Sequence, residues 1–186
     1  NFKAHISFIK VDKDSGEMDI AFQLRLPGVN FDLSHAGKGK SHGWFFFSCY
    51  NSEQANTLLE VNASQNDKDF IMAVNWKKAE EYIKAGKGKM EKARYAHNTW
   101  DDETHTGKSV IKEEVLVLDA MAMKDVIYLM PCPKSPHGCD VDPTGEYIVG
   151  SGKLAALIPV FSFDKMVKAI GKKDFEGDYE GIPVLK

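Results

Sequence analysis

The sequence predicts an all-β protein, and three of its features carry that prediction. Its apolar runs are short, they are bounded by Gly, Asp, Asn, Ser and Lys, and several alternate between apolar and polar residues. A composition of 43% hydrophobic and 27% charged residues is that of an ordinary globular domain. No apolar run approaches the roughly 18 residues of a membrane-spanning helix. A net charge of −3 argues against binding to nucleic acids or membrane surfaces through a general basic field.

Eight strands are predicted along the chain, and the first two form a hairpin. Residues 18–26 alternate between apolar and polar or small side chains, and the turn 13–16 joins them to the preceding strand. The predicted strands are residues 4–11, 18–26, 44–50, 70–74, 115–118, 126–130, 146–150 and 157–163.

Two short helices are expected between these strands. The first has Asn75 as its N-cap, apolar residues at helical spacing, and Gly86 just beyond its end. The second is predicted for residues 164–170, which Gly171 follows. The polar segments 87–106 and 172–183 show no periodicity, so both are predicted to be long surface loops.

Two distant segments of the chain resemble each other. Residues 41–48 and 143–150 each place a glycine-centred turn before a β run. Such repetition is typical of β-propellers, whose blades take about 40–50 residues each. Residues 1–186 are therefore predicted to be one partial β-propeller domain of about three to four blades, with one or two short helices. Because the chain begins without Met, we interpret it as a processed chain or an internal piece of a longer one.

The segment 132–145 contains the best candidate for a metal ligand. If a strand begins near His137, this residue shares a face with Cys139, and Pro136 keeps the preceding backbone extended. A histidine at the mouth of an inner propeller strand would point at the central axis, where imidazoles from several blades could bind copper. The alternatives are an ordinary surface or core histidine, or a small zinc or copper site made by Cys132, His137 and Cys139. Cys139 and Cys49 are otherwise expected to behave as small buried hydrophobic residues.

Carboxylates and amides gather in two further segments, 49–54 and 65–69. Oxygen ligands of this kind suit calcium, although the spacing is not that of an EF-hand. The alternative is a solvated loop with Asx turns. The Gly- and Lys-rich loop 36–40 lacks the spacing of a phosphate-binding Walker motif and is predicted to be a flexible turn.

Taken together, these segments resemble nitrous oxide reductase, in the second lineage of that family. The likeness extends over essentially the whole chain. It rests on four motifs, which are Cys49-Tyr50-Asn51-Ser52-Glu53-Gln54-Ala55, Asn66-Asp67-Lys68-Asp69, Lys134-Ser135-Pro136-His137-Gly138 and Gly152-Lys153-Leu154. Each motif alone is weakly specific, whereas the set in this order and spacing is highly specific.

The resemblance implies a periplasmic copper enzyme of denitrification that reduces nitrous oxide to dinitrogen and water. The family has a seven-bladed N-terminal propeller, in which histidines hold a tetranuclear copper–sulfide cluster, and a C-terminal cupredoxin domain with a dinuclear copper centre. Its members are head-to-tail homodimers that receive electrons from a c-type cytochrome or a small copper protein. The double-histidine motif, the other cluster histidines and the cupredoxin domain have no counterpart in residues 1–186. The resemblance therefore implies an internal part of the propeller that is inactive alone.

The resemblance also assigns site residues. His137 matches one of the histidines that hold the copper cluster. Residues that match those binding a structural calcium are Tyr50, Glu53 and Asp69. A backbone carbonyl near Val61 would be a further calcium ligand, while Ser135 stands where the family often has asparagine, so a water could intervene there. The alternative function for the same pattern is a non-enzymatic, secreted β-propeller binding module, which would bind no copper specifically.

Overall fold

A computed structural model describes residues 4–26, 30–50, 68–101, 103–104 and 106–186 of the chain. Most of these residues lie in strands, so the predicted all-β class is confirmed. Numbered along the chain, the strands are β1 Ala4–Val11, β2 Met18–Leu26, β3 Asn30–Ala36, β4 Trp44–Tyr50, β5 Lys68–Asn75, β6 Lys89–Asp101, β7 Thr106–Asp119, β8 Ile127–Pro133, β9 Pro136–Val141, β10 Tyr147–Gly152, β11 Val160–Ser162, β12 Phe175–Tyr179 and β13 Ile182–Leu185. The α-helices are α1 Trp76–Lys84 and α2 Phe163–Lys172.

The described strands form three sheets of different size. The central sheet has six strands in the order β12-β13-β8-β5-β4-β3, and the other two have the orders β1-β2-β7-β6 and β11-β10-β9. Most neighbours are antiparallel, but β2 pairs with β7 and β13 pairs with β8 in parallel. Because a propeller blade is a four-stranded antiparallel sheet, the described sheets differ from a simple series of blades, and the propeller architecture stays a prediction.

The central sheet is buried on both faces, and β5 shows why. Its residues alternate between two hydrophobic clusters, since successive side chains of a strand point to opposite faces. Phe70, Met72 and Val74 pack with the four-stranded sheet and α1, whereas Ile71 and Ala73 pack with the three-stranded sheet and α2. The three-stranded sheet therefore lies on one face of the central sheet, which places β9 against β3 and β4.

Both predicted helices are present. The Asn75 side chain accepts a hydrogen bond from the Lys78 N–H at 3.0 Å, and Gly86 follows α1 with a φ of 72°, as predicted. The second helix is longer than predicted, because the Ser162 hydroxyl caps its start and Gly171 lies inside it. Lys173, with a φ of 56°, ends it instead. None of the helices in the described ranges is long and apolar enough to cross a membrane.

The predictions of two long polar loops are wrong. Most of the segment 87–106 forms β6, which pairs with β7 along the edge of its sheet. The segment 172–183 contains β12, which a tight turn at Glu180 and Gly181, both with positive φ, joins to β13. The strand β3 was not predicted. All three strands are polar in composition, and hydrogen bonds to a neighbouring strand hold them where the side-chain pattern gives no signal.

Candidate metal site

The candidate site lies between β3, at the edge of the central sheet, and β9, at the edge of the three-stranded sheet. The pairing of β3 with β4 slips between Phe31, which is opposite Cys49, and Ser34, which is opposite Phe47. Two residues of β3, Asp32 and Leu33, therefore stand opposite Ser48 alone. This arrangement is a β-bulge, a feature that bends an edge strand and redirects its side chains.

The hydroxyl of Ser48 occupies the gap that the bulge leaves in the ladder. This side chain is completely buried. Its oxygen accepts the Leu33 N–H at 3.1 Å and lies 3.3 Å from the carbonyl oxygens of both Leu33 and His137. One hydroxyl thus joins the backbones of three strands, β3, β4 and β9.

The bulge directs Asp32 toward His137, the residue that the sequence singled out. The Nδ1 atom of His137 is 2.6 Å from Oδ2 of Asp32, and the histidine side chain is 57% exposed. An ionised carboxylate can only accept a hydrogen bond, so Nδ1 carries the hydrogen. The other nitrogen, Nε2, then holds a lone pair whenever the imidazole is neutral. Histidine ligands of metals are commonly oriented by a carboxylate in this way.

A second imidazole–carboxylate pair joins the same two strands with the roles exchanged. His35 of β3 lies with Nδ1 2.9 Å from Oδ1 of Asp140 on β9. A cleft of about 550 Å³ opens beside these residues and is bordered by His137, Asp140 and apolar side chains that include Leu33 and Ile158. We call the facing residues Asp32, His35, His137 and Asp140, together with Ser48, the seam.

Two of the predicted calcium ligands, Asp69 and Ser135, are in contact, and Ser135 lies two residues before His137 in the sequence. Asp69 is completely buried, and its Oδ2 accepts the N–H of Ser135 at 2.7 Å. Ser135 is itself 2% exposed and has a φ of 54°, in the left-handed region that few residues other than glycine adopt. Its carbonyl accepts the Lys153 N–H at 3.3 Å. Three of the motifs that carry the family resemblance are therefore neighbours in space.

The remaining predicted calcium ligands are placed only in part. Tyr50 ends β4 next to the Cys49–Phe70 pair, so it lies at the same end of the central sheet as Asp69. Glu53 and Val61 lie outside the described residues.

The alternative of a small metal site made by Cys132, His137 and Cys139 gains no support, because these three described residues form no group that could hold a metal ion. Burial raises the pKa of the Cys132 thiol to about 12 and that of the Cys139 thiol to about 11, so both stay protonated near neutral pH. Burial raises the pKa of Cys49 as well. Within the described part of the chain, no three His, Cys, Asp or Glu side chains are grouped so that they could hold a metal ion.

Sequence reasoning missed Asp32, His35, Asp140 and Ser48. The first two lie on a strand that the pattern did not predict. Their partners on β9 are 105 residues away in sequence. The one local signal is the alternation of Phe31, Leu33 and His35 with polar residues, which is too weak to identify a strand by itself.

No protein-family model matches the chain. Curated proteins that are similar to it include two nitrous-oxide reductases. It is 28% identical over 155 residues to nitrous-oxide reductase of Pseudomonas fluorescens. This alignment covers 82% of the chain and 21% of that protein. It is 28% identical over 157 residues to nitrous-oxide reductase of Stutzerimonas stutzeri, with the same coverage. The chain spans about a fifth of the length of these relatives. These similarities support a distant relationship between the chain and nitrous-oxide reductase.

Proposed function

We propose that this chain is part of a copper-dependent nitrous oxide reductase, and that His137 is one of the histidines that hold its tetranuclear copper–sulfide cluster. The observation that carries the proposal is the hydrogen bond between His137 Nδ1 and Asp32, because it leaves Nε2 as the atom available to a metal. The distant similarity to nitrous-oxide reductase over 82% of the chain supports the same assignment.

His137 fits the role of a single copper ligand. Neutral imidazole is a good ligand for copper, and the exposure of this side chain leaves room for a partner on its outer side. The described residues contain no group of three or more side chains that could hold a metal ion, so the other histidines of such a cluster would come from elsewhere in the protein. The role of Asp32 is to hold the ring and to keep the hydrogen on Nδ1.

The proposed reaction converts nitrous oxide, two protons and two electrons into dinitrogen and water. Breaking the N–O bond releases dinitrogen, and the oxygen takes up both protons and both electrons. The copper cluster, when bound, would supply electrons and polarise the departing oxygen. The electrons would come from a c-type cytochrome or a small copper protein, by way of a dinuclear copper centre in a cupredoxin domain.

A structural calcium beside the cluster is the second part of the proposal. Asp69 supplies a buried carboxylate, and its bond to the Ser135 amide fixes the segment that leads into His137. Calcium prefers such oxygen donors. Tyr50, Glu53 and a carbonyl near Val61 would complete the ligand set, with Ser135 binding directly or through water. A cation held at this point would fix the start of β9 and hence the direction of His137.

We also propose the architecture and location of the whole enzyme from its similarity to nitrous-oxide reductase. The chain would supply about three to four blades of a seven-bladed propeller in an enzyme of the second lineage. That enzyme would be a periplasmic homodimer that acts in denitrification.

The copper assignment is tested by comparing two histidine variants in the intact enzyme. His137→Ala is expected to lower the copper content and abolish the absorption spectrum of the cluster. His35→Ala is the matched control, because it removes an imidazole with a carboxylate partner from the same seam and leaves His137 in place. Unchanged copper stoichiometry and spectrum in His137→Ala would refute the assignment.

The calcium assignment is tested with a chelator. Removal of calcium should lower the melting temperature of the wild-type enzyme, because a ligand that binds only the native state stabilises it. The Asp69→Asn variant should melt at a lower temperature and respond little to the chelator. An equal response in both proteins would exclude Asp69 as a ligand.

A further inference from the structure

We propose that Ser48 is a positioning residue for His137: its hydroxyl holds the β-bulge of β3 in the one arrangement that brings Asp32 to the imidazole. The inference rests on the proposed metal role of His137 for its biological meaning. The effect itself, which is control over which ring nitrogen of His137 carries the hydrogen, does not depend on copper.

The hydroxyl is placed to do this because it contacts the backbone on both sides of the Asp32–His137 pair. On β3 it accepts the N–H of Leu33, the residue next to Asp32, at 3.1 Å. On β9 it lies 3.3 Å from the carbonyl oxygen of His137 itself. The hydroxyl oxygen of Ser48 therefore contacts the backbone at or next to both residues of the pair. Ser48 belongs to β4, a strand in the interior of the central sheet.

Removal of this hydroxyl leaves a defect that the chain can relieve by moving β3. The bulge disrupts the ladder between β3 and β4, and at this position the Leu33 N–H donates to the Ser48 hydroxyl. Loss of the hydrogen bond between this N–H and the buried Ser48 hydroxyl is unfavourable. The chain regains a partner if the bulge slips by one residue, and such a slip turns successive side chains to the opposite face. Asp32 would then leave His137.

The position of the hydrogen on the His137 ring, on Nδ1 or on Nε2, depends directly on whether Asp32 stays in contact. With Asp32 in place, the carboxylate accepts the hydrogen of Nδ1, and the lone pair is on Nε2. Without Asp32, nothing in the seam fixes the hydrogen on Nδ1, and the ring redistributes between its two neutral forms. A residue that served only to fill the core would change stability without changing this ratio.

The experiment measures the neutral forms of His137 by nitrogen-15 NMR of the histidine side chains near pH 8, in the intact protein prepared without copper. In the wild type, the form with hydrogen on Nδ1 is expected to dominate. Ser48→Ala should lower its ratio to the other form by about threefold to tenfold, the factor carried by one ordinary hydrogen bond. Ser41→Ala is the matched control, since Ser41 is equally buried but bonds to the carbonyl of Lys38, outside the seam.

A second pair of variants separates the hydroxyl from the packing. Ser48→Thr keeps the hydroxyl and should keep the wild-type ratio, whereas Ser48→Val has nearly the same shape without the hydroxyl and should behave like Ser48→Ala. This pair decides the matter if Ser48→Ala does not fold.

A wild-type ratio in Ser48→Val or Ser48→Ala would overturn the proposal, and so would an equal shift in Ser41→Ala. Because copper is absent from the measurement, its result is independent of the copper content of the His137→Ala enzyme. The positioning role and the proposed function can therefore fail separately.

Discussion

Two hairpin turns of this protein have the same local structure and different surroundings. In the turn between β1 and β2, the carboxylate of Asp12 accepts hydrogen bonds from the backbone of Asp14 and Ser15 and from the Ser15 hydroxyl. In the turn between β9 and β10, the carboxylate of Asp142 accepts bonds from Thr144 and Tyr147 in a similar way. Each turn contains a glycine with positive φ, 74° at residue 16 and 76° at residue 145.

The surroundings of the two glycines differ. A Cβ atom on Gly16 would meet no other atom within 4 Å. A Cβ atom on Gly145 would lie 1.7 Å from the carbonyl oxygen of Lys38. The Lys40 N–H donates to the carbonyl of Thr144 at 3.0 Å, so the second turn is docked by its backbone against the loop that joins β3 to β4. This loop forms a 3₁₀ turn at Gly39–Ser41 that is held on the Asp142 turn, whereas the sequence predicted only a flexible turn.

The docked turn is the one that matters for the site. It follows directly after β9, the strand that carries His137, and the loop against which it docks follows β3, the strand that carries Asp32. The seam is therefore held at one end by the Asp32–His137 pair and beyond its other end by the docked turn. The comparison shows that one local motif can close a hairpin in solvent or fix two sheets together, depending on its neighbours.

The largest effect is expected from Gly145→Ala. A non-glycine residue in the left-handed region costs about 1–2 kcal/mol, and the overlap with the Lys38 carbonyl forces the backbones apart at a further cost of about 1–3 kcal/mol. We expect the free energy of unfolding to fall by about 3 kcal/mol in total, measured by urea denaturation.

The control for this experiment is Gly16→Ala, which has the same backbone conformation in open space. Its expected loss is about 1 kcal/mol, from the left-handed conformation alone. Equal losses in the two variants would mean that the contact with Lys38 contributes nothing, and the distinction between the two turns would fail.

The same pair of turns shows what sequence can predict. The strands on either side of the Asp12 turn were predicted at residues 4–11 and 18–26, and the structure has β1 and β2 at these bounds. The pattern succeeds here because the alternation and the turn residues are local. The docking of Gly145 on Lys38 joins segments far apart in the chain, and no periodicity records it. The resemblance between residues 41–48 and 143–150 was visible, but their contact was not.

The candidate site divides in the same way. Motifs make His137 and Asp69 candidate ligands, because their residue types suit copper and calcium and the family resemblance points to them. Asp32 and Ser48 could not be identified, because their role depends on a bulge in an edge strand and on partners 105 and 89 residues away. A bulge is a property of how two strands pair, and a single strand's sequence specifies it weakly.

A smaller effect is expected from the two carboxylates in acid. Hydrogen bonds, first to Thr144 and then to Tyr147, lower the pKa of Asp142 to about 2, and bonds to Ser15 lower that of Asp12. Because the folded pKa of Asp142 lies below its ordinary value near 3.8, its contribution to stability is present above about pH 4. That contribution is lost as the pH falls toward 2. Urea denaturation across this range should show that the free energy of unfolding falls less with decreasing pH in Asp142→Asn than in the wild type.

Asp12→Asn extends the acid experiment to the open turn. The free energy of unfolding of Asp12→Asn should also fall less with decreasing pH than that of the wild type. Only Asp142→Asn, however, should weaken the docking of the loop between β3 and β4, which would be seen as faster amide exchange of Lys40. Faster exchange of Lys40 in Asp12→Asn would show that the two turns are coupled after all.

The smallest effect is expected from Lys40→Met. The ammonium of Lys40 bonds to Asp164 at 2.8 Å and to Glu146 at 3.0 Å, which raises the pKa of the lysine and lowers that of Asp164. The side chains of Lys40 and Asp164 are more than half exposed, although that of Glu146 is only 16% exposed. Ion pairs with exposed partners contribute little and are screened by salt. The variant should be slightly less stable than the wild type at low salt and indistinguishable from it at about 1 M salt, while NMR titration should show the pKa of Asp164 moving up toward its ordinary value. A loss as large as that of Gly145→Ala would mean that charge, and not the close backbone contact at Gly145, holds the docked turn in place.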